Sequence, residues 1–251
     1  MHERPIGQPL ARPPLVEALV EFRFEPDGWD WTIPGRLYEK VRDRFPERVE
    51  VRPPMIVLGQ SLRSEGPPPA PLSTPERLQF KRADGTAMVQ AGPGLLVVNH
   101  LRPYPTWPEF RRLVLEIYEL HRELSDKCEI ERIGVRYINH FQMDELELRK
   151  DVPVIAPVAE TFAMEAKAFF QKFELQPSGA GGALVHQCGT FVAEKRIVLV
   201  VDLDFFSTEV KHLADADQVG AWLDQAHGVI ENAFVKSLSE ELYDRLRRGD
   251  A

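Results

Sequence analysis

Along residues 15–24, LVEALVEFRF, the apolar residues Ala18, Val20, Phe22 and Phe24 alternate with Leu19, Glu21 and Arg23. A period of two predicts a strand with one buried face, and Pro14 and Pro26 bracket it. The stretch ERIGVRYINHF (131–141) repeats the pattern. Ile133, Val135, Tyr137 and Phe141 lie on one side, Arg132, Arg136 and His140 on the other, and the large inner residues predict a place near the middle of a sheet. Between these two strands, Ile33, Leu37, Val41 and Phe45 at four-residue spacing predict a short amphipathic helix stopped by Pro46. PPMIVLGQSL, RLQFKR, TAMVQAG and GLLVVNHL follow as four expected strands, with turns at ADG and GPG and an exposed Pro-rich loop after the first. TWPEFRRLVLEIYELHREL predicts a helix capped by Thr106, with Phe110, Leu113, Val114, Ile117 and Leu120 or His121 facing inward. After the central strand come further strands in AKAFFQKFEL, GALVHQCGTFV and KRIVLVVDLDFF. A helix over 217–247 closes the chain, with Val219, Leu223, Ala226, Ile230, Phe234, Leu238 and Leu242 on its buried stripe; unbroken, it would run about 45 Å.

These elements define an α+β protein with a largely antiparallel curved sheet backed by long helices. An N-terminal extension (1–14) precedes two halves, 15–125 and 126–251, that share the order strand, helix, strands, helix and form one compact unit. Each half opens with a β-rich run carrying an arginine on its polar side, and each holds an Asn-His pair, Asn99-His100 and Asn139-His140. The order of parts points to an approximate internal duplication. It resembles the half-repeat of the TATA-box-binding-protein-like fold in topology, without a basic saddle or a DNA-wedging motif.

Three segments carry a second resemblance: PPLVEALVEFRF near the start, RIGVRYINHF at the centre, and LDQAHGVIENAFVKSLSEEL in the C-terminal helix. Together they resemble a sporadically distributed bacterial family of uncharacterised proteins of about this length. The resemblance implies a soluble bacterial protein of patchy distribution. It brings no catalytic residue, substrate or cofactor with it.

Charge narrows the partners. The net charge is −8. Residues 1–125 balance 17 basic against 17 acidic side chains, whereas residues 126–251 hold 14 against 22. Global binding to nucleic acid or anionic lipid needs a basic surface, so nucleic acid is an unfavoured partner and no membrane contact is expected. Cys128 and Cys188 form no metal spacing or disulfide framework, the start has no export signature, and no run of about 18 apolar residues exists. A cytoplasmic setting is the expectation.

Two sets of residues are candidates for chemistry. Asp202 and Asp204, two apart on a strand, share a face and with Glu21 or Glu194 can hold a divalent cation through oxygen ligands. The competing reading is a strand whose outer face runs into solvent. Arg23, Arg136, His100 and His140, with Arg132, form the second set: if the opening strands of the halves lie side by side, Arg23 and Arg136 can clamp a phosphate or carboxylate. Pairing of these arginines with Glu21, Asp202 or Asp204 as a cross-strand ladder is the bland alternative. SGAGGAL precedes a strand and reads as a hairpin loop rather than a phosphate loop. His186 and Cys188 read as a strand face, and Trp29 and Trp31 as partner anchors or as seals over the sheet end. No cofactor motif is present. The leading expectation is a non-enzymatic binding or regulatory module that offers its open sheet face, or the cleft between halves, to a protein or small anionic ligand. The alternatives are a metal-dependent hydrolase or nucleotide-processing enzyme built on Asp202 and Asp204, and single-strand nucleic-acid binding on the sheet.

Overall fold

The computed structural model describes residues 10–25, 29–51, 77–125, 129–142, 146, 148–155, 168–193, 196–213 and 215–249. Among the described residues nine strands form one antiparallel sheet: β1 (Leu15–Phe24), β2 (Glu47–Val51), β3 (Arg77–Lys81), β4 (Ala87–Gly92), β5 (Leu95–Leu101), β6 (Ile130–Gln142), β7 (Phe170–Leu175), β8 (Ala183–Ala193) and β9 (Arg196–Ser207). Their spatial order is β2-β3-β4-β5-β1-β6-β9-β8-β7. The strands of residues 15–125 thus fill one side of the sheet and those of 126–251 the other. The two alternating stretches of the sequence, β1 and β6, meet at its centre with Val20 opposite Val135 and Arg23 opposite Arg132.

The helices are α1 (Ile33–Val41), α2 (Trp107–Leu124), the single turn α3 (Leu148–Asp151), α4 (Ala216–Ser237) and α5 (Glu240–Arg248). Three of them cover the apolar sheet face. Tyr38 of α1 packs on Phe80, Tyr118 of α2 stacks on Phe22 at 4.9 Å, and Trp222 of α4 stacks on Phe205. Alternation along each strand puts Ala18, Val20, Phe22, Val135, Leu203 and Phe205 on that side, all fully buried, each large residue worth about 2 kcal/mol when removed from water. Thr106 starts α2 as expected: its N–H and hydroxyl both donate to Glu109, at 3.0 and 2.9 Å.

The structure departs from the sequence reading in three places. The C-terminal helix is two helices, because Leu238 adopts an extended backbone (φ −107°, ψ 153°). Ser239 then accepts the Leu242 N–H as the cap of α5, and its own N–H donates to the Asp151 carbonyl. The capping pattern Ser-Glu-Glu-Leu was readable, but the unbroken apolar stripe hid it. Next, β2 is formed by ERVEV immediately after Pro46; the strand expected in PPMIVLGQSL lies outside the described residues. Finally, α2 buries Tyr118 as well as His121.

His121 is the unusual member of the core. It is 1% exposed, stacks on Phe24 at 4.8 Å and on Trp29 at 6.3 Å, and neither ring nitrogen has a hydrogen-bond partner among the described residues. Burial pushes its pKa down to about 4. The unfolded chain therefore binds a proton that the folded chain refuses between the ordinary histidine value and about 4, and stability falls as pH falls through that window. His121→Leu is expected to show a smaller loss of melting temperature between pH 7 and pH 5 than the parent; scanning calorimetry at the two pH values measures it.

Candidate functional site

The sheet face opposite the helices carries the candidate chemistry. Alternation along β1 sends Glu17, Leu19, Glu21 and Arg23 to it, β6 sends Arg132, Gly134, Arg136, Ile138 and His140, and β9 sends Val200, Asp202, Asp204 and Phe206. The Arg136 guanidinium donates to both carboxylate oxygens of Asp202, through Nε at 2.8 Å and a terminal nitrogen at 2.5 Å. Gln187 adds a third donor to Asp202 at 3.4 Å. Arg132 bridges β1 and β9, reaching Glu21 at 2.7 Å and Asp204 at 3.3 Å, while its guanidinium lies 4.4 Å over the Phe206 ring. Arg23 folds back onto Glu21 at 2.9 Å.

Gly134 makes this arrangement possible. A Cβ there would meet Arg132 at 3.2 Å and Asp204 at 3.3 Å, so any larger residue would push into the bridge. The Asp202 pair holds Arg136 more firmly protonated than usual, chiefly through the hydrogen bonds and then through nearby acidic charge. Asp204 is raised by burial, against the opposing pull of Arg132 and Arg136. On the other side of the sheet centre the same face holds a row of amides that ends on a carboxyl group: Gln79 donates to Gln90, Gln90 to Asn99, and Asn99 to Glu17, at 3.0, 2.8 and 2.6 Å. Asn99 is nearly inaccessible although no described helix lies above it.

The candidate residues divide accordingly. Arg23 and Arg136 share the open face, but Arg23 stands opposite Arg132 and Arg136 opposite Leu19. Four residues along β1 separate those positions, about 13 Å, so the arginines form no common clamp. His140 lies on the open face with its ring 5.1 Å from Phe191, and burial followed by the Arg102 charge lowers its pKa. His100 lies on the helical side instead, edge-on to Tyr104 and Phe110, with Nδ1 2.8 Å from the Leu101 carbonyl. Burial lowers its pKa. Asp202 and Asp204 share the open face, each held by an arginine, and Glu21 joins Asp204 only through Arg132. Among the described residues no group of three His, Cys, Asp or Glu side chains gathers as a metal-ligand set. Glu194 and Cys128 lie outside the described residues. SGAGGAL connects β7 to β8, with Gly179 and Gly181 at positive φ, and His186 and Cys188 are buried on the helical side of β8. Trp29 caps His121; Trp31 is exposed.

Beside Asp202 the open face sinks into a hollow of about 190 Å³, lined by Phe170, Phe191, Val200, Gly189, Gln187 and Asp202 among others. A Cβ at Gly189 would meet the Phe169 carbonyl at 2.9 Å and the Phe170 ring at 3.1 Å. Glycine therefore lets Phe170 lie over β8 and form one wall. On the helical face of the same hairpin, Val192 (71% exposed) and Ile197 (49%) are opposite one another and exposed. Sequence reading missed the hollow, because it sets Phe170 and Phe191 side by side from strands paired 19 residues apart.

Two helical-side features were also missed. Tyr104, Tyr137 and His227 form a hydrogen-bonded row at 2.8 and 3.1 Å, with Trp107 stacked on His227 at 4.2 Å. Burial raises both tyrosines and pushes His227 down to about 4, so the row is uncharged at neutral pH and pins α2 and α4 to β6. A broader hollow of about 530 Å³ lies between the β7–β8 end and α4.

The fold and site define an α+β protein whose antiparallel sheet, on the face opposite its described helices, pairs an ionic lattice with an apolar hollow. The chain matches no protein-family model and no curated protein. No described helix is long and apolar enough to cross a membrane.

Removing the Arg136 fork leaves Asp202, whose side chain is only 10% exposed, without its main partner. Arg136→Met is expected to destabilise the fold by on the order of 2 kcal/mol, and adding Asp202→Leu should recover most of it. Urea denaturation of both variants checks the pair.

Proposed function

We propose that this protein is a non-enzymatic binding module that docks a protein partner on its open sheet face, at the hollow beside Asp202. In this reading the two halves descend from one duplicated unit of the TATA-box-binding-protein-like kind, and the protein works in the cytoplasm. The observation that carries the proposal is the apolar surface of Phe170, Phe191 and Val200, in which the two phenylalanines are open to solvent, bordered by the Arg136–Asp202 pair, Gln187 and His140. Apolar cores with polar rims mark protein-docking sites, and a hollow of this size fits one aromatic or branched side chain. The arginines and aspartates around it neutralise one another, which suits a rim that orients a partner rather than a centre that activates a substrate. The partner expected is a neutral-to-basic surface bearing one apolar anchor, because the chain's net charge of −8 repels acidic proteins at long range.

A photo-crosslinking residue placed at Phe191 tests this in the living host, with Glu119 on the exposed side of α2 as the control. The expected result is one discrete protein adduct from position 191, none from position 119, and its disappearance in a Val200→Asp background. Equal labelling from both positions, or none from 191, would overturn the proposal.

A further inference from the structure

The two sheet edges differ. β2 exposes Glu47, Arg48 and Glu50 with one apolar residue, Val49. β7 exposes Phe170 (70%), Phe173 (46%) and Leu175 (48%), so it is apolar on both faces. An apolar edge strand is a template for another strand. Among the described residues Lys172 and Glu174 of β7 have no ion pair, although both are exposed.

We propose that the β7 edge pairs with β7 of a second copy of this chain, joining two sheets about a two-fold axis perpendicular to them. Residues directly opposite across an antiparallel seam lie on the same face, so only registers that match like faces are allowed. Centring the axis on Lys172 sets lysine against lysine, and centring it on Glu174 sets glutamate against glutamate. Centring it on Phe173 sets Lys172 against Glu174 of the other copy, twice, on the open face. On the helical face it brings the two Phe173 rings together, flanked by Leu175 against Gln171. The strand FQKFEL is thus complementary to itself in one register, which argues for a second copy rather than a foreign strand.

The helical layer leaves room for this partner. The 530 Å³ hollow lined by Leu175, Pro177, Leu184, Val229 and Ala233 opens beside β7, where the incoming Phe173 would pack. The pairing deepens the docking proposal and rests on it for its functional meaning. The axis keeps both open faces on one side, so two hollows stand roughly 20 Å apart, at about 4.8 Å per strand, and a partner with two anchors gains avidity.

Sedimentation velocity of the full chain tests the seam by charge exchange. The parent is expected to dimerise, Lys172→Glu to raise the dimer dissociation constant about tenfold or more by opposing like charges twice, and Lys172→Glu with Glu174→Lys to restore dimerisation. Circular dichroism confirms that each variant is folded. A monomeric parent, an unaffected Lys172→Glu variant or a double variant that stays monomeric would overturn the proposal. So would dissociation by Arg48→Glu instead, since Arg48 can face Glu50 in the same way at the β2 edge. Val200→Asp keeps the dimer if only the docking surface is at fault, so failure of the crosslink and failure of the seam are separately visible.

Discussion

The antiparallel register of β1 against β6 is the constraint from which the molecule follows. Because side chains alternate, this register sends Val20, Phe22, Val135 and Tyr137 beneath the helices and Glu21, Arg132 and Arg136 to the opposite face. A slip of β1 by one residue would exchange its two faces, putting Glu17, Glu21 and Arg23 into the core. Apolar burial on one side therefore determines the electrostatics on the other. Arg132 can touch Glu21 and Asp204 together only because its strand lies between β1 and β9.

The two faces solve the problem of polar groups near a core in different ways. On the helical side, His121, His227, Tyr104 and Tyr137 are kept uncharged, since burial disfavours the ionised form of each. On the open face Glu21, Asp202 and Asp204 each lie against a guanidinium. Such pairs contribute modestly to stability where solvent reaches them. Their greater effect here is geometric: they hold long side chains flat against the sheet, and the surface beside Asp202 is left as a defined hollow rather than a crowd of mobile arginines.

That hollow and the β7 edge share one end of the sheet, and Phe170 belongs to both. At the opposite end charged residues guard β2, and Gln79, Gln90, Asn99 and Glu17 saturate one another's hydrogen bonds. The asymmetry concentrates exposed apolar area where association with another protein strand or side chain is physically favourable.

Periodicity alone was enough to place β1, β6, α1, α2, β8 and β9, because each buries one face against a single layer and its pattern reports that directly. The cap at Thr106 and the central position of RIGVRYINHF were legible for the same reason. The break at Leu238 was not, since the apolar stripe runs straight through it and the Ser239 cap is stabilised by Asp151, far away in sequence. Nor was the division of the candidate residues. Arg23, Arg136, His140 and His100 look alike as polar members of strands, yet strand pairing sets the first two about 13 Å apart and sends His100 to the helical side. The amino-acid order by itself determined which residues alternate and so which faces are apolar; tertiary structure decided which strands became neighbours, because pairing partners are chosen by the burial of the whole sheet and not by any one strand's own pattern.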